Sequence, residues 1–334
     1  MALRFVSSPF AVSRETSNEL GGALVGESPS GAVPGWPVQR VFAPLLGATS
    51  AAIRETWVTD QPVTSGYREG IAWRRVDGLL YGVLEVDEAD FDAAPGCSRL
   101  QAASEESYSR IFRLLDAERV PHLWRVWNYL AAINLETHGL ERYRQFNVGR
   151  QEAFLKGNRG ATGNVPAACA IGLAGSPLSI AFMAGTTPAV PLENPRQVSA
   201  YNYPPDYGPR SPTFSRGALA YPDGQEILFI SGTASIIGHE TVSPGDVAGQ
   251  CRESTANINA VIAEANRQCR TAPFSLGELS YRVYVRQAGD FRVIRETLGR
   301  LLGKVEIVFL QADICRHDLL LEIEAFASHS LEGG

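Results

Sequence analysis

DICRHDLLLEIEAFA, residues 313–327, reads as an apolar strand from Leu319 to Phe326 interrupted by two carboxylates, Glu322 and Glu324. Cys315 stands seven residues before Glu322, just ahead of the strand. Alternation along a strand sends Glu322 and Glu324 to the same face. A carboxyl on an otherwise apolar strand loses solvation, which disfavours its charged form and raises its pKa. Such a group is a proton donor usable at neutral pH. The competing reading is a solvated outer face of an edge strand, where two glutamates need no function.

This strand closes an order of elements that occurs twice. In the first half the pattern predicts a strand at 78–86, a helix near 105–118, a strand at 122–133, a helix at 140–155, and strands at 167–173 and 178–184. In the second half it predicts a strand at 226–231, a helix at 246–265 with Val247, Ile258, Val261 and Ile262 at apolar spacing, a strand at 279–286, a helix at 291–302, and strands at 305–310 and 319–326. Both halves read β-α-β-α-β-β. The fold class expected is therefore α+β, with two similar halves packed sheet to sheet and helices outside. The domain boundaries follow: residues 1–186, a connection at 187–217, and residues 218–334 carrying the two carboxylates. Residues 20–50, rich in Gly, Pro and Ser, are expected to be loops with short strands.

A chain of 334 residues has room for two such cores. Its apolar share of 45% and charged share of 20% are those of an ordinary soluble protein. A net charge of −6 offers no electrostatic reason to bind nucleic acid or an anionic membrane. Lysine occurs only at Lys156 and Lys304, so the cations are nearly all arginines, forked donors suited to carboxylates. The five cysteines, Cys97, Cys169, Cys251, Cys269 and Cys315, are scattered without metal-ligand spacing, which fits reduced thiols in the cytoplasm. The five histidines show no metal-binding pattern either. Neither a signal peptide nor an eighteen-residue apolar span is present, so a cytoplasmic protein is expected.

The connection at 187–217 contains PLENPRQVSAYNYPPDYGPRSPTFSRG, with Tyr201, Tyr203, Tyr207, Arg210 and Arg216. A flexible linker is rich in Gly and Ser and poor in aromatics. This segment is stiff and carries aromatic and cationic side chains, as a ligand-binding loop or lid does, although a packed inter-domain connection has similar composition. After it, ISGTASIIGHETVSPGDVAGQC places Gly232 at a strand end, where a ligand can approach the backbone; a bulge or tight turn is the plainer explanation. His239, alone in a turn, reads as structural. No neighbour in sequence obviously stabilises a Cys315 thiolate, so Cys315 reads as a small polarisable pocket wall rather than a nucleophile; Arg316 is the nearest cation. No phosphate loop, nucleophile elbow or kinase signature occurs. Arginines and tyrosines with one carboxylic acid suit a compact anionic substrate whose reaction needs only proton transfer.

GTASIIG at 232–238, the helix start Gln250–Ile262, YVRQAGDF at 284–291 and the final LEIEAFA resemble the Rid-type (YjgF-like) imine deaminases. The loop SAYNYPPDYGPRSPTFSRG and DICRHDLLLEIEA add a resemblance to the chorismatase family, a relative of that fold. The likeness runs from about Trp124 to the C-terminus, with weaker likeness before that. It implies removal of the enolpyruvyl group of chorismate as pyruvate, with no metal or organic cofactor. The family's catalytic acid matches Glu322. Arg210 and Arg216 are the candidates for the two substrate carboxylates, Tyr203 and Tyr207 for the ring face, and Arg150 for a contribution from the first half. Some family members add water to give a cyclohexadiene diol acid; others give 3-hydroxybenzoate by an intramolecular route. The aromatising type resembles this chain in a glycine at the position of Gly232 and a cysteine at the position of Cys315, so 3-hydroxybenzoate is the product implied. Two fused halves make a monomer the expected state.

A Rid-type deaminase is the first alternative. Those proteins hold a substrate carboxylate with an arginine early in the penultimate strand, where this chain reads VEIVFLQAD. A metabolite-binding protein without catalysis on the same scaffold is the second.

Overall fold

The computed structural model describes residues 2–10, 18–27, 35–175 and 177–331. Strands β1 (Leu3–Pro9), β2 (Glu19–Gly26), β3 (Val38–Phe42) and β4 (Ala52–Thr59) form one sheet in the order β1-β4-β2-β3. The first half follows with β5 (Thr64–Arg68), β6 (Ile71–Val76), β7 (Leu79–Val86), α1 (Arg99–Glu118), β8 (His122–Ala131), the ribbon β9 (Glu136–Thr137) and β10 (Leu140–Glu141), α2 (Arg142–Lys156), β11 (Ala167–Leu173) and β12 (Leu178–Gly185). The second half holds β13 (Val190–Leu192), β14 (Gly217–Ala220), β15 (Gln225–Thr233), the ribbon β16 (Ile236–Ile237) and β17 (Glu240–Thr241), α3 (Val247–Asn266), β18 (Ser280–Val285), α4 (Phe291–Leu302), β19 (Ile307–Gln311) and β20 (Leu321–Ser330).

The two halves share one topology. In the first, β8 and β11 are parallel and β12 inserts antiparallel between β8 and β7, giving β11-β8-β12-β7. In the second, β18 and β19 are parallel and β20 inserts antiparallel between β18 and β15, giving β19-β18-β20-β15. The α+β expectation of two similar β-α-β-α-β-β halves is met element by element. The helix starts have local causes: Ser98 accepts from the Gln101 amide at α1, and Asp246 accepts from the Gly249 amide at α3.

Alternation decides which side chains meet between the sheets. Along β8, Val126 and Leu130 pack under α1 and α2, whereas Trp127 and Tyr129 face the second half. Along β20, Leu321, Ile323 and Ala325 pack under α3 and α4. Tyr129, Cys169 and Ile171 of one sheet share a buried cluster with Tyr284, Leu310 and Ile314 of the other half. The sheets thus pack face to face with the helices outside, as expected.

The N-terminal region departs from the sequence reading. Where loops with short strands were expected, β2 is buried along its whole length and belongs to a third sheet. Leu3, Leu20 and Trp57 of that sheet pack against Leu79 and Tyr81 of the first half and Phe229 of the second. Its ELGGALVG sequence disguises it, because glycines weaken a strand signal while permitting close backbone approach. Among the described residues no helix is long and apolar enough to cross a membrane.

Helix α2 crosses α1 at Gly149, where a methyl group would sit 2.1 Å from the Gln101 carbonyl oxygen. Replacing Gly149 by Ala is therefore expected to destabilise the protein by about 1–3 kcal/mol despite alanine's better helix propensity. Denaturant unfolding of the two proteins measures it, and an unchanged or raised midpoint would contradict the close approach.

Candidate active site

Strand β20 is bonded on both sides, by β15 and β18, so Glu322 and Glu324 are interior and not on an edge strand. Both carboxylates are buried, on the face turned to the first half. Opposite Glu322, β15 breaks register between Ile230 and Thr233. Gly232 lies in that irregularity, and a Cβ there would fall 1.8 Å from Glu322 Oε1 and 3.2 Å from Cys169 Cβ. Glycine at 232 is thus the condition for the carboxyl of Glu322 to occupy its place.

The two glutamates have opposite surroundings. Glu324 is clamped by Arg125 and Arg282, the latter at 3.0 Å, and accepts from the Tyr284 hydroxyl at 2.8 Å. Burial alone would raise its pKa, but Arg125, Arg282 and the Tyr284 hydroxyl outweigh it and hold the carboxyl below its ordinary value. Glu322 has only a weak contact, Cys315 Sγ at 3.9 Å. Burial pushes Glu322 up, the charge of Glu324 pushes it further, and Arg125, the Cys315 thiol and Arg216 offset this only in part; its pKa reaches about 8. One carboxyl is held ionised and its neighbour protonated, the division that assigns acid roles in paired-carboxyl sites.

The segment bearing Cys315 is fixed by a single guanidinium. Arg286 donates to Asn134, to Asp313 at 2.8 Å, and to the carbonyls of Ile314, Arg316 and Leu319. Asp313 also exchanges backbone hydrogen bonds with Gly172 of the first half. Burial, and then the neighbouring Glu322, push the Cys315 thiol well up, so it stays a thiol and not a nucleophilic thiolate.

Glu322 faces a cavity of about 270 Å³. Of the residues read from sequence, Gly232, Cys315, Arg150, Arg216, Tyr203 and Tyr207 line it with Glu322. Arg210 does not. Its side chain is 44% exposed and paired with Glu152 on α2, 2.6 Å away, because the loop turns between it and Arg216 and leaves them facing different ways. Sequence reasoning left open the direction of Arg316, which lines the cavity and stacks over Tyr207 at 4.3 Å and Tyr203 at 5.3 Å. It missed Tyr143, Arg144 and Phe214. Tyr143 and Arg144 lie with Arg150 on α2, in the stretch RYRQFNVGRQEAF at 142–154, whose further cation and aromatic residues are the signal that marks them. His239 bonds the Tyr207 hydroxyl at 3.2 Å, a loop-bracing role.

Arg150, Arg216 and Arg316 are the cavity's unclaimed cations. Among the described residues none of them has a carboxylate partner within ion-pair distance, and each keeps a buried nitrogen without a hydrogen bond: Nε of Arg150, Nε of Arg216 and Nη2 of Arg316. Arg216 donates to the Val198 carbonyl and the Tyr203 hydroxyl, and Arg150 to Asn147. Buried cations left this way are costly until anions arrive, which makes the cavity receptive to carboxylates. Among the described residues no group of three or more His, Cys, Asp or Glu side chains is placed to hold a metal ion.

Residues 55–184 match the family model described as chorismatase FkbO/Hyg5-like, N-terminal. A chorismatase from Streptomyces rapamycinicus is 39% identical over 81% of this chain and 80% of its own length. The chain belongs to the chorismatase family. A 3-hydroxybenzoate synthase from Streptomyces hygroscopicus is 35% identical over 84% of this chain and 83% of its own length. A crystal structure of a chorismatase superposes with a TM-score of 0.86 at 32% identity, covering 98% of both chains. The chorismatase likeness thus extends well before Trp124, through the N-terminal sheet.

Glu322 in this chorismatase makes stability pH-dependent. Its folded pKa of about 8 lies above the ordinary 4.5, so between these values the folded state holds a proton that the unfolded chain has released. The contribution is fully present below 4.5 and is lost as pH rises to 8. The difference in unfolding free energy between wild type and Glu322→Gln is expected to fall by roughly 1.4 kcal/mol per pH unit across that window. Denaturant unfolding at several pH values checks it; a flat difference would mean an unperturbed carboxyl.

Proposed function

We propose that this protein converts chorismate to 3-hydroxybenzoate and pyruvate, with Glu322 as the general acid. The observation that carries the reading is a buried glutamic acid, whose surroundings favour its protonated form, facing a cavity in which Arg150, Arg216 and Arg316 have no anionic partner among the described residues. Chorismate brings two carboxylates for those arginines and one acid-labile enol ether for that proton. Arg150, Arg216 and Arg316 hold the carboxylates, and Tyr203 and Tyr207 cover the ring. The name of the Streptomyces hygroscopicus relative, 3-hydroxybenzoate synthase, supports the product.

Glu322 delivers its proton to the methylene carbon of the enolpyruvyl group, and positive charge develops on the ether carbon. The bond between ring carbon 3 and the ether oxygen breaks, and pyruvate forms from the departing group. The hydroxyl oxygen of carbon 4 bonds to carbon 3 as its own proton leaves; its bond to carbon 4 then breaks as the oxygen is reprotonated, so the retained hydroxyl ends on carbon 3. A ring proton lost on aromatisation restores Glu322. Substrate and products balance without water, oxidant or reductant, so no cofactor is needed. The diol route consumes one water, and product choice rests on whether water reaches the cation first. Cys315 supplies an apolar thiol wall beside the acid, and Gly232 lets the acid sit against the strand, leaving little space for a nucleophilic water between them.

Incubation of the purified protein with chorismate alone, followed by chromatography with mass detection, is expected to yield equimolar pyruvate and 3-hydroxybenzoate. Pyruvate with the diol acid would keep the acid and overturn the product; no consumption would overturn the reading. Glu322→Gln is expected to lose at least about 10²-fold in kcat, and retained turnover would remove Glu322 as the acid. Gly232→Ala should slow turnover and raise the share of diol, because the new methyl displaces the Glu322 carboxyl. An unaltered rate and product ratio would show that Gly232 does not set the position of the acid.

A further inference from the structure

Glu324 has no place in the chemistry just described. It lines a different cavity, of about 270 Å³, with Glu55, Arg125, Arg282, Tyr81 and Glu306, and does not reach the one that Glu322 faces. Yet it follows Glu322 by two residues on the same face of β20, roughly 6–7 Å along the strand, and both are buried. At that separation in a buried setting, a fixed charge outweighs solvent screening.

The surroundings fix that charge in place. From β8, Arg125 pairs with Glu324 and Tyr129 bonds to the Tyr284 hydroxyl at 2.6 Å. From β18, Arg282 donates to Glu324 and to Tyr129, while Tyr284 donates to Glu324. From β4, Glu55 takes the other arm of Arg282. The buried phenol of Tyr81 on β7 faces the same group, as does the Cys169 thiol of β11, and burial pushes both up so that they stay uncharged. On the acid's side stand Cys315, Tyr143 and Arg216. Glu55, Arg282, Glu324 and Arg125 form a chain alternating in sign; the anion nearest Glu322 along the strand is Glu324, and the cation that opposes it is Arg125.

We propose that Glu324 is a positioning residue for the reaction: as a permanently ionised neighbour it keeps the proton on Glu322, and Arg125 limits how strongly it does so. This rests on Glu322 being the acid. The arrangement explains what a buried ion cluster outside the substrate cavity does for this chain.

The alkaline limb of kcat/KM reports ionisation of the acid in the free enzyme, so pyruvate release is followed from pH 5.5 to 10. Glu324→Gln is expected to move that limb down by about one pH unit or more, since the anion is lost and Arg125 is left unpaired, with the rate recovering as pH is lowered. Arg125→Gln is expected to move it up. A merely structural role would depress the rate at every pH without opposite displacements. A limb unmoved in Glu324→Gln, or moving the same way in both variants, overturns the proposal. Where a single variant does not fold, the double variant Glu324→Gln/Arg125→Gln leaves Arg282 paired with Glu55 and should still shift the limb down, because Glu324 acts on Glu322 more strongly than Arg125 does; an unmoved limb there is equally decisive. Retained turnover in Glu322→Gln would instead defeat the acid assignment, a separate outcome.

Discussion

The ion cluster of Glu324 with Arg125, Arg282 and Glu55 ties together the three larger sheets of this protein. Arg125 comes from the first half, Glu324 and Arg282 from the second, and Glu55 from the N-terminal sheet. Buried ion pairs contribute little net stability over apolar substitutes, but breaking one partner leaves an uncompensated charge and is strongly destabilising. The cluster therefore acts as a registry device: any slip of one sheet by a residue would bury at least one charge alone. It fixes where β20 lies against β8, and with β20 it fixes Glu322.

That constraint explains the asymmetry between two glutamates that look alike in sequence. Glu324 receives two guanidinium groups and a phenol, and Glu322 receives one distant thiol. Charge satisfaction is exhausted at Glu324, so the neighbouring carboxyl is left with burial and repulsion, the two influences that hold a proton on. The cluster also sets aside the cations it uses. Arg125 and Arg282 are spent on glutamates, whereas Arg150, Arg216 and Arg316 have no ion-pair partner among the described residues at the cavity that Glu322 faces. Opposite electrostatic fates are thus distributed across one interface, a neutralised cluster on one side and an anion-receptive cavity on the other.

The repeated order of elements was legible in sequence because periodicity reports which face of a strand is buried, and the closing strand showed it at Glu322 and Glu324. The exposed-edge alternative failed for a reason no single strand reveals, since which strands flank β20 depends on the whole topology. The N-terminal sheet escaped because β2 is glycine-rich, and close backbone approach replaces the side-chain pattern that marks a strand. The placement of Arg210 outside the cavity is of another kind. Proximity in a loop to Arg216 carries no information about direction, and two short 3-10 turns at Ala200–Asn202 and Pro205–Tyr207 precede the point where the paths of the two side chains part. Arg125 was invisible as a functional residue because it stands in a strand that reads as apolar, HLWRVWNYLA. A charged residue on the interior face of such a strand is the signal that could have exposed it, the same signal that drew attention to Glu322.

Gly232 shows how far backbone geometry reaches into the chemistry. Its missing side chain does not merely enlarge the cavity; it makes room for the Glu322 carboxyl itself. The register shift of β15 at that point keeps its backbone out of the ladder with β20, and Cys169 from the first half closes the remaining side. A carboxyl held against bare backbone has few rotamers left. In the proposed role as acid, it can transfer its proton only into the cavity. The position of the acid, its protonation and the direction of its proton transfer are in this way three consequences of one packing arrangement, and a single methyl group at 232 tests all three together.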